Sequence, residues 1–347
     1  IRKPSMRVAM YYKNSDVRLE EMPTPTPGPG EMLVEVHASG ICGSDVLEWY
    51  RIKKAPRVLG HEIAGEIAAL GEGVETYDIG RRVFVSHHVP CNTCYYCTSG
   101  NHTVCETLHT TNFDPGGFAE FVRIPAINVD RGTFVLPDEL SWDEGAFVEP
   151  LACVVRGQRV VGLKPGQSVL VIGSGVSGLL HLKLARALGA GAVAAVDIDE
   201  FKMGKAKESG ADAVWHASED LPARFREIND GRLADVVIVC TGALKAFEQA
   251  LDCVERAGAV LCFATTDPGV ELKVPLNEFW RNGIRIMPSY ANSPYDAEVA
   301  IELMRRGRVE VTDMITHRFG LAEAGEGFRL MSEPGHDSLK VIIEPQK

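Results

Sequence analysis

Strand-like and helix-like segments alternate over about a hundred residues in the second half of the chain, beginning near Leu163. The strand-like segments are short and apolar, and each except the last precedes a longer segment with apolar residues at helical spacing. This alternation is typical of an α/β fold in which a doubly wound parallel sheet carries helices on both faces. The segments in chain order are QSVLVIG, VSGLLHLKLARALGA, AVAAVDID, EFKMGKAKESGA, ADVVIVCTG, LKAFEQALDCVERAG and AVLCFAT.

The first strand-like segment runs into a glycine-rich loop, VIGSGVSG, which opens a helix-like segment. Gly173, Gly175 and Gly178 follow the GxGxxG pattern, in which the first glycine makes the turn and the second lets the backbone approach a pyrophosphate. The third glycine lets the helix pack closely on the strand. Asp197 ends the next strand, where a carboxylate would bind ribose hydroxyls. These features together predict a dinucleotide site and disfavour the alternative, a glycine-rich turn without a ligand.

Asp197 also bears on the choice between NAD and NADP, because a carboxylate there would repel a 2′-phosphate. No arginine follows it, since Ile198 and Asp199 come next, although Lys202 is a nearby cation. The sequence therefore predicts NAD. The predicted cofactor-binding residues are Gly173, Gly175, Val176, Gly178, Asp197, Ile198, Lys202 and Thr241.

The first third of the chain has a different texture, with short β-type runs such as EMLVEVHAS and RRVFVSH between Gly and Pro breaks. This pattern predicts a compact, mostly antiparallel β domain. A chain of 347 residues is too long for one ordinary core, so we expect two domains. The predicted bounds are 6–155 with 292–347 for the β domain and 156–291 for the α/β domain. The opening IRKPS is interpreted as a tag or linker remnant outside the fold.

Four of the nine cysteines lie in one short loop, CNTCYYCTSGNHTVC. Cys91, Cys94, Cys97 and Cys105 have the spacing C-x2-C-x2-C-x7-C, which suits a closed tetrahedral zinc site. An iron–sulfur cluster uses a similar opening triplet, but its usual fourth cysteine comes three residues later and precedes proline. A disulfide is disfavoured by the tight spacing. The sequence predicts a structural zinc ion, with a cluster and a disulfide as open alternatives.

Composition limits the kinds of partner that we expect for this chain. The net charge is −11 and no Lys/Arg run offers a phosphate-binding face, so we expect no nucleic-acid partner. No apolar run is long enough for a membrane span and no signal peptide is predicted. The other five cysteines are scattered singly, which suits a reducing cytoplasm better than a secreted disulfide framework.

A second group of metal-ligand residue types is spread across the first domain, and each member alone is unremarkable. Cys42 could be a core thiol, His61 a surface histidine and Glu149 a helix-start carboxylate. In order, however, the motifs resemble the zinc-dependent medium-chain dehydrogenase superfamily, and more closely its polyol and threonine dehydrogenase branch. The resemblance covers nearly the whole chain through PGPGEMLVEVHASGICGSD, LGHEIAGEI, the four-cysteine loop, residues 144–154, VLVIGSGVSG and SLKVIIEP.

The resemblance implies a GroES-like, mostly β catalytic domain interrupted by a Rossmann domain, with the active site between them. It implies a catalytic zinc surrounded by Cys42, His61 and Glu62, with Glu149 ligating directly or through water. Asp45 would receive the His61 ring N–H, and Ser44 would begin a proton relay. Two departures stand out. Leu47 replaces the histidine that ends the relay in many relatives, and PSYANSP lacks the arginine that sorbitol dehydrogenases carry there.

These residues imply an oxidoreductase that oxidises a secondary alcohol on a polyol, cyclitol or sugar-like compound, with zinc and NAD as cofactors. Two readings remain open beside it, namely a threonine or amino-alcohol dehydrogenase of the same fold and a non-catalytic protein that kept the fold. The pocket is expected to include Leu47, Trp49, Phe118 and Tyr290. A small-molecule substrate and a homo-oligomer, a tetramer or a dimer, are the expected partners.

Overall fold

The fold is described from a computed structural model that covers residues 4–347. The first three residues of the opening IRKPS lie outside the described residues. The prediction that this segment stands outside the fold is wrong for Ser5, which begins the first strand and pairs with Pro23. The reason is that its backbone continues the antiparallel ladder of the following residues.

The elements alternate as the sequence predicted. The strands are β1 Ser5–Lys13, β2 Asp16–Pro23, β3 Met32–Gly40, β4 Arg57–Val58, β5 Glu62–Leu70, β6 Arg82–Val85, β7 Phe121–Ile124, β8 Thr133–Val135, β9 Val169–Ile172, β10 Val193–Asp197, β11 Ala213–His216, β12 Ala234–Val239, β13 Val254–Cys262, β14 Arg285–Pro288, β15 Ile315–Phe319 and β16 Lys340–Ile343. The helices are α1 Glu48–Arg51, α2 Tyr95–Thr98, α3 Glu106–Thr110, α4 Ala126–Gly132, α5 Trp142–Val161, α6 Val176–Ala187, α7 Glu200–Glu208, α8 Leu221–Ile228, α9 Leu244–Cys253, α10 Leu276–Asn282, α11 Pro294–Arg305 and α12 Ala324–Ser332.

The chain divides into two compact units. One comprises residues 1–152, 292–307 and 311–347, and the other residues 153–291 and 308–310. The division falls within α5, three residues before the predicted boundary at 155/156. No described helix combines the length and apolar character needed to cross a bilayer.

The first unit is built on two sheets. A three-stranded sheet has the order β2-β1-β4, and a larger one has the order β15-β16-β3-β5-β6-β8, with β7 added beside β3. All pairs are antiparallel except β15 with β16, which are parallel. The apolar faces meet in one core that includes Tyr11, Phe118 and Phe328. The mostly β character predicted for this part of the chain is confirmed.

The second unit has one parallel sheet with the strand order β11-β10-β9-β12-β13-β14. The order reverses beside β9, and in open α/β sheets ligands bind at the carboxyl ends of the strands at such a point. The doubly wound prediction is confirmed. One boundary differs: the helix predicted through VERAG ends at Cys253, because the β-branched Val254 starts β13 by pairing with Ala234.

Candidate active site, four-cysteine loop and cofactor cavity

Two adjacent strands of the first unit bring Cys42, His61 and Glu62 together. Strand β3 ends at Gly40, strand β5 begins at Glu62, and these two residues are paired in register. Cys42 follows Gly40 closely and caps a short 3-10 turn over Gly43–Val46. One ligand atom from each of Cys42, His61 and Glu62 lies within 4.8 Å of the others. A side chain at position 40 would not fit, because its Cβ would lie 2.0 Å from Glu62 Oε2.

The Asp45 carboxylate holds the His61 ring in a fixed orientation. Its side chain is fully buried and lies 3.4 Å from His61 Nδ1. Burial alone would raise the pKa of Asp45, but His61 and Arg51 lower it below its usual range. Burial would likewise lower the pKa of His61, while Asp45 and Cys42 raise it well above the usual range. Because Nδ1 faces the carboxylate, Nε2 is the nitrogen left to bind a metal.

Arg51 is a site residue that the sequence analysis missed. Its Nη2 donates to Ser44 Oγ at 3.0 Å and to Asp45 Oδ1 at 3.1 Å, and its Nε donates to the Ser44 carbonyl at 2.9 Å. The side chain is only 15% exposed. No sequence signal marked it, since it is one of several cations in the segment RIKK.

Lys340 is the second missed residue. Its ammonium lies 2.6 Å from Glu62 Oε2, and both side chains are almost completely buried. Burial lowers the pKa of Lys340, but Glu62 and Cys42 outweigh it and raise the pKa. The other carboxylate oxygen, Glu62 Oε1, is buried without a hydrogen-bond partner in the described structure. A lysine inside the apolar run LKVIIEP was the signal that could have pointed to this pair.

Glu149 is placed differently from expectation. It lies in the middle of α5, so the reading of a helix-start carboxylate is wrong. Its side chain is buried and its charge acts on Lys340, but it is not in the cluster formed by Cys42, His61 and Glu62. The prediction that Glu149 ligates the metal stays a prediction.

Two histidines that the sequence analysis left unplaced lie beside His61. The His87 ring centroid is 4.7 Å from that of His61, and the His88 centroid is 3.8 Å from that of His87. Burial, and then nearby positive charge, lowers the pKa of His88 to about 3. His88 is therefore a neutral ring in this environment.

The four residues predicted to line the substrate pocket differ in their exposure. Leu47 and Tyr290 are exposed and Trp49 is partly exposed, which leaves them accessible to a ligand. Phe118 has no exposed surface and packs against Phe328 in the core. The pocket role predicted for Phe118 is therefore wrong, because tertiary packing covers it completely.

The four cysteines of the loop converge as their spacing predicted. One sulfur from each of Cys91, Cys94, Cys97 and Cys105 lies within 4.8 Å of the others, and all nine cysteines are free thiols. Backbone N–H groups already point at the sulfurs: Cys94 donates to Cys91 Sγ at 3.2 Å, and Cys91 donates to Cys105 Sγ at 3.4 Å. Such donors stabilise thiolates, which are the form that binds metal.

The thiols do not all ionise alike. Hydrogen bonds, first from Thr93, lower the pKa of Cys91 to about 5, whereas burial raises the pKa of Cys97 to about 12. Four sulfurs this close repel one another as thiolates unless a cation lies among them. The arrangement thus fits a metal ion held by all four.

The glycine loop in the second unit has the geometry that its motif requires. Gly173 has φ +98°, a conformation that side-chain-bearing residues rarely adopt. A Cβ at Gly178 would lie 1.9 Å from the Gly173 carbonyl oxygen, whereas a Cβ at Gly175 would meet nothing within 4 Å. The loop therefore leaves open space at Gly175, where a phosphate group could approach the start of α6.

A cavity of about 340 Å³ lies beside this loop. Among the predicted cofactor residues, Gly173, Asp197, Ile198 and Thr241 line it, while Gly175, Val176, Gly178 and Lys202 are not among its lining residues. Lining residues that the sequence analysis missed are His216, Ser218, Lys245 and Gln249. Lys202 instead lies in the first turn of α7, where its backbone N–H donates to the side chain of the N-cap residue Asp199. Lys245, rather than Lys202, is the lysine on the cavity wall.

Asp197 is held in place at the cavity by backbone donors. Its Oδ2 accepts a hydrogen bond from Ser174 N–H at 2.6 Å, and its Oδ1 accepts from Ile198 N–H at 2.8 Å. The carboxylate therefore ties the end of β10 to the glycine loop. Oδ1 also accepts from Asp199 N–H at 3.0 Å, so Oδ2 is the oxygen that retains lone-pair capacity for a ligand hydroxyl.

Comparison with known proteins matches both parts of the chain to family models. Residues 28–132 match the alcohol dehydrogenase GroES-like domain, and residues 177–306 match the zinc-binding dehydrogenase family. Among solved structures, a zinc-binding dehydrogenase from Sinorhizobium meliloti bound to NADP is 29% identical, with a TM-score of 0.89 and coverage of 99% of this chain and 100% of that one. An Escherichia coli protein described as a short chain alcohol dehydrogenase, complexed with NADH, is 27% identical, with a TM-score of 0.89 and the same coverage.

Two curated relatives are similar over almost the full length. Sorbitol dehydrogenase from Bos taurus is 32% identical, covering 99% of this chain and 97% of the relative. L-threonine 3-dehydrogenase from Pyrococcus furiosus is 33% identical, covering 90% and 91%. Identity at this level over whole chains, on the same two domain types, means that the chain belongs to the zinc-dependent medium-chain dehydrogenase superfamily, in its polyol and threonine dehydrogenase branch.

Proposed function

We propose that this chain is an NAD-dependent zinc dehydrogenase that oxidises a secondary alcohol of a polyol, cyclitol or sugar-like compound to a ketone. The observation that carries the proposal is the cluster of Cys42, His61 and Glu62, backed by Asp45. Three protein ligands of mixed type are typical of a catalytic zinc site, which keeps one position open for a substrate.

The donor set fits zinc on chemical grounds. A thiol, an imidazole and a carboxylate converge, and the buried Glu62 Oε1 has no hydrogen-bond partner among the residues that the structure describes. A buried polar atom without a partner is costly, so a cation would stabilise it. A zinc ion held there supplies Lewis acidity, which lowers the pKa of a substrate hydroxyl. Glu149 is proposed as a further carboxylate that ligates directly or through water.

The chain's own residues control the proton. Ser44 Oγ accepts a hydrogen bond from Arg51, so the Ser44 hydroxyl proton is free to point toward a substrate oxygen. A guanidinium only donates, and therefore a proton that reaches Ser44 cannot continue to Arg51. The hydrocarbon side chain of Leu47 cannot accept it either. We propose that the proton leaves Ser44 through water or the cofactor ribose.

The four-cysteine loop is proposed to hold a structural zinc ion. Its four sulfurs supply a complete tetrahedral set with no position left for a substrate. Elemental analysis of the purified protein should find up to two zinc ions per chain. Iron in place of the loop zinc would contradict the assignment.

NAD is proposed as the cofactor because Asp197 presents its carboxylate to the cavity. It would accept hydrogen bonds from ribose hydroxyls and repel a 2′-phosphate. Lys245 and His216 on the same wall are the groups that could instead bind a 2′-phosphate and so oppose the preference for NAD over NADP. Asp197→Ala should narrow the NAD-to-NADP ratio of kcat/KM by about tenfold, as expected for the loss of one charge interaction. A wild-type enzyme that prefers NADP would overturn the NAD assignment.

The substrate class is tested by following reduced-cofactor absorbance over a panel of polyols, cyclitols, simple alcohols and amino alcohols. Turnover of polyols or cyclitols supports the proposal. Turnover of L-threonine alone would identify the alternative that its Pyrococcus furiosus relative suggests. No turnover of any alcohol by the zinc-loaded protein would overturn the enzyme assignment.

A homo-oligomer is proposed from the edge of the parallel sheet. Strand β14 has β13 on one side and no further strand among the described residues, and most of it is exposed. Leu276 and Trp280, one turn apart on α10, are 77% and 80% exposed. An open edge with exposed apolar residues nearby suits a second copy of the chain. Light scattering that gives the mass of a single chain for both the wild type and Trp280→Glu would contradict the proposed homo-oligomer.

We propose the cytoplasm as the compartment, because all nine cysteines are free thiols.

A further inference from the structure

The charged groups around the candidate active site are matched in pairs. Arg51 lies against Asp45, with 3.1 Å between Nη2 and Oδ1, and Lys340 lies against Glu62 with 2.6 Å between Nζ and Oε2. Both carboxylates are completely or almost completely buried, so each needs its cation. Within each pair the positive charge cancels the negative one, so neither pair carries a net charge.

Arg57 is a cation without such a partner. It lies in the short strand β4, four residues before His61, and its backbone pairs with Tyr11. Its side chain forms no hydrogen bond or ion pair with any residue of the described range 4–347. Yet the residue is partly buried, unlike Arg256, whose side chain is 81% exposed to water. Partial burial removes some of the hydration of the guanidinium, and no ion pair within the described residues replaces it.

A second guanidinium makes the position still less favourable. Burial, and then the like charge of Arg51, lowers the pKa of Arg57, while Tyr50 and Asp45 oppose the shift. Arg51 itself uses Nε and Nη2 for Ser44 and Asp45, and its Nη1 donates to no atom in the described part of the chain. Arg51 thus presents an unused donor at Nη1, and Arg57 presents a positive charge without an ion-pair partner among the described residues.

We propose that Arg57 binds an anionic group of the substrate, so that the natural substrate is a hydroxyl compound carrying a carboxylate or a phosphate, such as a sugar acid or a polyol phosphate. This inference rests on the proposed dehydrogenase function and narrows its substrate class. A guanidinium matches both anions because its planar fork donates two parallel hydrogen bonds. The free Nη1 of Arg51 is a third donor in the same region.

Matched substrate pairs test the inference. Initial rates are measured for D-glucitol against D-gluconate and D-glucitol 6-phosphate, and for galactitol against galactonate. In the wild type, kcat/KM should be at least about tenfold higher for one anionic class, and which class it is separates carboxylate from phosphate recognition. Arg57→Met should abolish that preference while leaving kcat/KM for the neutral polyol unchanged within about twofold.

Two variants control for charge and folding. Lys53→Met removes an exposed cation from the same segment and should leave the preference intact. Arg57→Lys keeps the charge and should retain part of the preference, so that a folding defect in Arg57→Met can be recognised. Equal rates on neutral and anionic partners, unaffected by Arg57→Met, would overturn the inference while the dehydrogenase proposal stands.

Cofactor phosphates are the other source of an anion, and a separate titration covers them. NADH binding followed by fluorescence should have the same Kd in wild type and in Arg57→Met. A weaker Kd together with an unchanged substrate preference would assign Arg57 to the cofactor and overturn the inference.

If no compound is turned over, binding measurements test whether Arg57 recognises an anion. The zinc-loaded protein is titrated calorimetrically with gluconate and with glucitol 6-phosphate. One of them should bind the wild type at least about tenfold more tightly than it binds Arg57→Met. Absent or equal binding would overturn the anion site. Absent turnover with Arg57-dependent binding would overturn only the dehydrogenase proposal.

Discussion

The two candidate metal centres are built in opposite ways. The four-cysteine loop takes identical ligands from one stretch of fifteen residues, and backbone N–H groups donate to the sulfurs of Cys91 and Cys105. The Cys42 centre takes three different ligands from around the ends of β3 and β5, and charged side chains lie behind them.

The difference concerns what holds each centre together. At the Cys42 centre, buried ion pairs already compensate Asp45 and Glu62, so the fold itself maintains the arrangement. In the loop, four thiols lie together, and the hydrogen bond that Arg131 makes there goes to the Cys91 carbonyl rather than to a sulfur. We infer that the loop depends on its metal for stability, whereas the Cys42 centre depends on its metal for chemistry.

The largest expected effect is on turnover. His61→Ala removes a ligand and the group that Asp45 orients, so kcat/KM should fall by about a thousandfold or more. The Tm of the variant should stay within a few degrees of wild type, because the ion pairs remain. Steady-state kinetics with measured zinc content checks this. Retention of a tenth of wild-type activity would show that His61 is not at the metal.

Cys94→Ser should produce the reverse result. Removing one ligand from a closed site removes folding free energy, so the Tm should fall by about 10 °C, with loss of one zinc per chain. The activity of the molecules that remain folded should be nearly normal. Tyr95→Phe is the matched control, since Tyr95 is an exposed neighbour. An unchanged Tm with full zinc content would mean that the loop is not a zinc site.

Lys340→Met tests whether ion pairs hold the Cys42 centre. It leaves the Glu62 carboxylate buried without its cation, which should lower the free energy of unfolding of the metal-free protein by about 3 kcal/mol. Zinc should recover part of this loss by giving Glu62 a partner. Urea unfolding with and without zinc measures both, and Lys340→Arg is the charge-preserving control. An equal loss of unfolding free energy with and without zinc would contradict the expectation that zinc gives Glu62 a partner.

Glu149→Ala is expected to have the smallest effect. Because Glu149 lies outside the ligand cluster and acts on Lys340, zinc affinity and kcat should each fall by about tenfold. Competition with a zinc-binding dye and rates at full zinc loading provide the measurements. Full activity and affinity would make Glu149 a structural carboxylate of α5.

Prediction from sequence succeeded where neighbouring residues determine the outcome. The four-cysteine convergence and the glycine loop at Gly173 depend on short spacings, and the structure has both. Arg51 and Lys340 were missed because their partners are chosen by packing: Lys340 meets Glu62 across 278 positions of the chain. Phe118 was misassigned for the same reason, since only the packed core shows that it has no exposed surface.

The sequence by itself determined the two domain types and the positions at which a metal site and a dinucleotide site are predicted. Ligand spacing, strand–loop–helix order and hydrophobic period are local properties, and short-range sterics and hydrogen bonding act on them directly. Only the tertiary structure decided which charges neutralise one another around Cys42, and that Arg57 has no ion-pair partner within residues 4–347. The physical reason is that burial and Coulomb interaction depend on distance through space, and the folded chain alone sets those distances.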